Sequence, residues 1–233
     1  MALNDAEVGR YARQLILPAW GEEVQERLRG ARVRVAGGGL ATGPAIYYLA
    51  AGGVGTIWVD DPDPVAPGDG AGWAFGPDDL GRPRGVASAA FAAAANGLVK
   101  ADVFRPGSRP TAVLVCGANM DVSRAIAEEA RLLQLPHVVA DVDGQGGAAT
   151  SVPVGAPCYA CATRPGLGAA PTPEGAAAVG ALAALELLLL LGEIAQEPRA
   201  RRLEIFRGTP LTRATARQAG CACNAGPPGP SGY

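Results

Sequence analysis

The chain has 233 residues, long for one small domain and short for two large ones, so a single α/β domain with one core is expected. Hydrophobic residues make up 48% and aromatics only 5%, beside 33 Gly and 20 Pro, which describes an aliphatic, tightly turned chain and excludes a disordered one. Lys+Arg 20 against Asp+Glu 22 gives a net charge of -2, with no basic run interleaved with aromatics, so no nucleic-acid partner is expected.

The first residues, MALNDAEVGR, lack the basic-then-apolar pattern of a secretory leader, so the expected location is cytoplasmic and disulfides are not expected. Residues 5–29 predict a helix broken at Pro18 and a second, short helix over 22–29. VRVA predicts a strand, the glycines after it a turn, GPAIYYLAAGG a helix closed by Gly52 and Gly53, and TIWVDD a second, parallel strand. Residues 62–81, rich in Pro, Gly and Asp, predict a long surface loop without regular structure.

GVASAAFAAAANGL then predicts a helix, LVKADVF a strand, TAVLVCGA a buried strand, SRAIAEEARLLQL an amphipathic helix and PHVVADV a strand. After Asp143 the pattern changes to antiparallel strands leading to cysteines, a Pro-rich crossing loop (RPGLGAAPTPEG), a Leu-rich helix and a strand around RLEIF. The run AAAVGALAALELLLLL carries Glu186 and falls short of the roughly 20 apolar residues a bilayer span needs, so it reads as a buried helix and no membrane partner is expected. The fold class is α/β: a doubly wound, mostly parallel sheet with an antiparallel C-terminal part. One domain covers 1–225, with a helical segment over 1–30, a C-terminal part over 144–223 and a flexible tail over 226–233.

Three groups of residues carry chemistry. In a strand-to-helix glycine loop the first glycine permits the turn, the second lets backbone N–H groups approach phosphates and the third lets helix and strand pack closely. Gly37 and Gly39 fill the first two roles, and Thr42 fills the third badly because its side chain needs room. The loop is either an anion site at a helix N-terminus or a plain turn. Asp60-Asp61-Pro62-Asp63, roughly 20 residues further on, is placed to bond ribose hydroxyls, or else is a solvated acidic turn. Cys158 and Cys161 with Cys221 and Cys223 are either four ligands of a tetrahedral zinc or two unrelated pairs of thiols. Cys116 reads as a core thiol and His137, the only histidine, as structural.

Taken in order, RYARQLILPAWGEEVQERLRGARVRVAG, GGVGTIWVDD, DDLGRPR, CGANM, PCYAC and GALAALELLLLLG resemble the ThiF/MoeB/HesA-type branch of the ubiquitin-activating-enzyme-like superfamily over nearly the whole chain. That resemblance implies a Rossmann-like sheet, a homodimer, and the binding of ATP and magnesium to adenylate the C-terminal glycine of a ubiquitin-like sulfur-carrier protein. It implies that Gly37 and Gly39 lie by the ATP phosphates and that Asp61 and Asp63 hold the ribose and metal region. Arg13 matches an arginine lent by the neighbouring subunit, and Arg84 stands where the family has a phosphate-binding lysine. The cysteine pairs match its structural zinc ligands, the second pair shortened by one residue.

The departures from the family fall on its phosphate and metal contacts. Residues 68–73, GDGAGW, replace Ser-Asn-Leu-x-Arg-Gln, and Ala118 replaces an aspartate expected to hold magnesium. Residues 99–111 look a helix short, and the crossing loop lacks the cysteine that some members use. The expected function is therefore a carrier- or peptide-binding accessory member with adenylation lost or weak. The alternatives are an active adenylyltransferase with a metal site rebuilt from Asp69, Asp78 or Asp79 and, last, a nicotinamide-dependent oxidoreductase.

Overall fold

The approach segment folds as α1 (Asp5–Leu15) and α2 (Gly21–Gly30) in the computed structural model, which describes residues 2–116, 119–144, 146–163, 170–194, 200–206 and 209–225. Asn4 starts α1 by a capping box: its side chain accepts the Glu7 N–H at 3.0 Å, and the Glu7 carboxylate accepts the Asn4 N–H at 2.8 Å. Five parallel strands follow: β1 (Arg32–Ala36), β2 (Thr56–Asp60), β3 (Lys100–Val103), β4 (Ala112–Cys116) and β5 (His137–Asp143). Three antiparallel strands, β6 (Gly146–Val152), β7 (Arg201–Phe206) and β8 (Thr209–Ala214), extend the sheet. The strand order is β3-β2-β1-β4-β5-β6-β7-β8, so the winding reverses between β1 and β4. In doubly wound sheets that reversal opens a crevice at the strands' carboxyl ends, where ligands bind.

The helices are α3 (Thr42–Gly52), α4 (Arg84–Ala95), α5 (Met120–Leu132), α6 (Tyr159–Ala162) and α7 (Pro173–Leu191). Every residue of β4 is buried, as a strand covered on both faces requires. α7 is the core helix expected from its Leu-rich sequence, packed against α3 and the β5–β6 part of the sheet. Although it is long and apolar enough to pass as a membrane span, Gly180, Ala183, Ala184 and Leu187 are buried inside the protein. Its buried Glu186 is held by two bonds of 2.7 Å from Arg201 of β7, so the charge inside the apolar run ties helix to sheet.

The structure corrects the sequence reading in four places. The loop over 62–81 contains two 3-10 turns, Pro67–Gly72 and Pro77–Asp79, because Asp69 and Asp79 accept the N–H groups of Ala66 and Gly76 at 2.8 and 2.9 Å. α4 stops at Ala95 because extended Asn96 turns its amide to Tyr11 Oη at 2.9 Å and the Ala50 carbonyl at 2.7 Å. β8 has no hydrophobic period and is exposed throughout, and pairing with β7 makes it a strand. The short helix α6 within PCYAC also carried no periodic signal. As expected, residues 104–111 pass from β3 to β4 without a helix. Ala118, the first half of the crossing loop (164–169) and the tail over 226–233 lie outside the described residues.

His137 opens β5 almost fully buried, with Nδ1 3.1 Å from the Leu135 carbonyl. Burial lowers its pKa below the ordinary 6.5. The unfolded chain therefore takes up this proton first, so His137 contributes stability above about pH 6.5 that is lost as pH falls toward its folded pKa. As the only histidine, it should show one assignable ring resonance titrating below 6.5 in proton NMR. The loss of stability between pH 7 and pH 5 should be shallower in His137→Asn.

Candidate functional site

The site begins where β1 ends at the reversal point. Gly37 turns the chain with φ +94°, and its N–H bonds the Asp60 carbonyl at 3.2 Å. A Cβ at Gly38 would stand 1.6 Å from Asp61 Oδ2 and 2.7 Å from Arg84 Nε, so a side chain there would displace the carboxylate and the guanidinium. The Gly39 carbonyl accepts the Thr42 N–H at 2.9 Å, and α3 starts. Thr42 does not crowd this junction as the sequence suggested. It is buried, and its hydroxyl donates to the Gly37 carbonyl at 3.1 Å. The close approach expected of a third glycine is made from the other side by Gly180 of α7, where a Cβ would lie 2.2 Å from the Ala41 carbonyl oxygen.

Asp61 follows β2 and is 8% exposed. Its Oδ1 accepts the Asp63 N–H at 3.1 Å, while Oδ2 lies 3.0 Å from Arg84 Nε. Burial raises the Asp61 pKa above its ordinary value, against the pull of the Asp63 N–H and the Arg84 charge. Arg84 is brought there by its own backbone: its N–H bonds the Asp63 carbonyl at 2.8 Å, and Gly85 N–H bonds the Asp61 carbonyl at 2.9 Å. Its remaining nitrogens meet Asp63 Oδ2 at 2.9 Å and Asp69 Oδ2 at 3.3 Å. Burial disfavours the guanidinium charge, but the carboxylates outweigh it and raise the Arg84 pKa. Asp60 is spent elsewhere, paired at 2.6 Å with Arg34, which also stacks on Phe104.

Gly37, Gly39, Asp61, Asp63 and Arg84 thus come together as the sequence suggested, and Arg13 does not join them. It is exposed in the last turn of α1, a helix tied to the far ends of α3 and α4 by Gln14 to the Ala51 carbonyl (3.2 Å) and Arg10 to the Ala95 carbonyl (2.8 Å). The glycine loop is at the opposite end of α3, whose 11 residues span about 16 Å. Sequence reasoning missed Gly38 and the contact of Asp69 with Arg84. The run of three glycines was the available signal for the first.

Magnesium does not fit the residues described. It demands oxygen ligands in near-octahedral array, whereas Asp61, Asp63 and Asp69 all point at a guanidinium. Nor do Asp69, Asp78 and Asp79 converge into a rebuilt metal site: Asp79 is taken up by the Gly76 N–H and by Arg82. Among the described residues, the four cysteines form the one cluster of three or more such donors.

Those cysteines do fit a metal. Cys158 caps α6 and Cys161 lies within it, while Cys221 precedes a 3-10 turn (Ala222–Ala225) that carries Cys223. Their Sγ atoms are 3.9 Å (158–161), 3.5 Å (158–221) and 3.6 Å (161–223) apart, close to the edge of about 3.8 Å that Zn–S bonds of about 2.3 Å give a tetrahedron. Shortening the second pair to Cys-x-Cys leaves this geometry intact. Burial pushes Cys158 up to about 12; burial also opposes the Cys223 thiolate, but hydrogen bonds led by that of Cys158 bring it down to about 7. The clip is joined to the sheet through Tyr159, whose hydroxyl donates to Asp141 at 2.6 Å, and Asp141 also accepts from Arg202 at 2.8 Å. Cys116, fully buried and pushed up to about 12 by that burial, is the core thiol expected. Metal analysis of protein purified without chelator should return about one zinc per chain. Cys158→Ser should abolish that content and open residues 209–225 to protease, because binding at a structural site is folding energy. Stable, metal-free protein would exclude the clip.

The comparisons agree with this architecture. The ThiF family pattern matches residues 11–225. The chain is 52% identical to "Probable adenylyltransferase/sulfurtransferase MoeZ" of Mycobacterium tuberculosis over 64 residues, which is 28% of this chain and 16% of that protein. It is 30% identical to "SAMP-activating enzyme E1" of Haloferax volcanii over 172 residues, 69% of this chain and 64% of that one. The chain thus spans less than two-thirds of these relatives' own lengths. The structure of E. coli MccB with ATP superposes with TM-score 0.79 at 17% identity, covering 94% of this chain and 74% of that one, a likeness of fold. With one fold, one ordered set of motifs and a match over almost its entire length, the chain belongs to the ThiF family.

Proposed function

We propose that this chain holds an adenine nucleotide at the loop over residues 37–39 and the C-terminus of a ubiquitin-like sulfur carrier or a peptide beside its C-terminal sheet. In this reading it serves as an accessory member with adenylation lost or weak. One observation carries the second half: Arg84, the cation set against the glycine loop, is already ion-paired with Asp61, Asp63 and Asp69. Nucleotidyl transfer depends on fixed cations or metal meeting charge that develops on the phosphates. A site whose arginine faces three carboxylates, in a chain whose Ala118 stands where the resembling family has an aspartate, loses such contributions. At a few kcal/mol each, their joint loss is several orders of magnitude in rate.

The backbone turn, the start of α3 and the buried Asp61 are what such a site retains, and they suit an adenosine and one anion. The distance of Arg13 from its own loop supports a homodimer in which each copy lends that arginine to the other. The names of the relatives, an adenylyltransferase and a SAMP-activating enzyme, and the ATP in the MccB structure support a nucleotide and a carrier or peptide as partners. They equally support the alternative of an active adenylyltransferase.

ATP–pyrophosphate exchange with a panel of ubiquitin-like carriers ending in Gly-Gly separates the two. The expected result is no exchange by the natural chain and a gain in Ala118→Asp. Robust exchange by the natural chain would establish the active reading instead. Light scattering at micromolar concentration should give twice the chain mass, and a monomer would remove the shared-arginine arrangement.

A further inference from the structure

We propose that Asp69 is an internal competitor for the ligand's phosphate: its carboxylate occupies one terminal nitrogen of the Arg84 guanidinium in the free chain, and a polyphosphate must displace it to bind. This rests on the nucleotide reading above and adds to it a residue that sets affinity.

The three carboxylates on Arg84 are not equivalent. The Asp63 side chain is 70% exposed, and a pair of that kind is weak and screened. Asp61 is 5% exposed at its side chain and fixed to the Asp63 N–H, so it is part of the frame. Asp69 differs from both. Its side chain is 19% exposed, against 18% for Arg84, so their contact is sheltered. The same Oδ2 accepts the Ala66 N–H at 2.8 Å, so the 3-10 turn aims it before any ligand arrives.

The guanidinium itself lies against the backbone of Gly38, within the loop that receives phosphate in this reading. Carboxylate and phosphate oxygens accept from the same planar fork of N–H groups. Nε lies 3.0 Å from Asp61 Oδ2 without a hydrogen bond between them, one terminal nitrogen bonds Asp63, and the other, which bonds Asp69, is the one a phosphate would claim by exchange. Three carboxylates about one cation also leave the local charge negative, so a polyphosphate that did not expel Asp69 would meet repulsion. Where the resembling family has an asparagine, this chain has an acid, and an amide would both spare Arg84 and donate.

Asp69→Asn isolates the effect, because its amide oxygen still accepts the Ala66 N–H while the charge is removed. Fluorescent ATP and, by calorimetry, inorganic pyrophosphate and triphosphate would be titrated into the natural chain and this variant. The variant should bind ATP and pyrophosphate about tenfold more tightly, about 1.4 kcal/mol, and the gain should vanish in an Arg84→Ala background. ATP bound equally well or better by the natural chain would overturn the competitor role while leaving the nucleotide reading intact. A gain for pyrophosphate with no preference for ATP over inorganic triphosphate would uphold the competitor and sink the nucleotide reading. Failure of both proteins to bind any of the probes would overturn both.

Discussion

A backbone without a side chain at Gly38 is what lets two strand ends, a turn and a helix share one point. In the β1–β2 register Ala36 stands opposite Asp60, so the residues just beyond each strand meet. Asp61 can fold over the loop only because nothing projects from Gly38. From there its carbonyl receives Gly85, its carboxylate receives the Asp63 N–H, and Arg84 is delivered from the first turn of α4. Any residue larger than glycine would push the Asp61 carboxylate outward and break its contact with Arg84.

That arrangement fixes the electrostatics of the crevice. A buried carboxylate costs free energy unless a cation or N–H groups meet it, and Asp61 has both. Neighbouring Asp60 lies on the other face of the sheet, where Arg34 pairs with it and with Glu129. Two adjacent acids in one turn thus have separate fates because side chains alternate along a strand. The one that faces the glycine loop is the one that can matter to a ligand.

Much of this was legible in the sequence. Apolar runs bounded by Gly and Pro marked the parallel strands, and the helices between them were read nearly to their ends. The order of motifs pointed to the family, and cysteine spacing pointed to the cluster of four thiols. What was not legible came from tertiary contacts. Thr42 looked too large for its place because the two contacts that settle it arise only in the fold: its own hydroxyl bonds the Gly37 carbonyl, and the close approach is made by Gly180 of α7 against Ala41. β8 has no hydrophobic period of its own, and the residues that define it as a strand are in β7. Asp69 could be read as a metal ligand as readily as a partner of Arg84, since a carboxylate serves either purpose.

The exposure of β8 has a consequence for the protein in concentrated solution. Among the described residues it closes the sheet on one side with all six positions exposed, and the row of unpaired N–H and C=O groups of an edge strand is a template for strand addition by another chain. Pro210 interrupts that row by offering no N–H, and Arg213 sets a charge upon it. On the far border, β3 exposes Lys100 and Asp102. Among the described residues the eight-stranded sheet ends in these two strands, and replacing Pro210 by a β-branched residue would remove the proline that disfavours edge-to-edge pairing at β8.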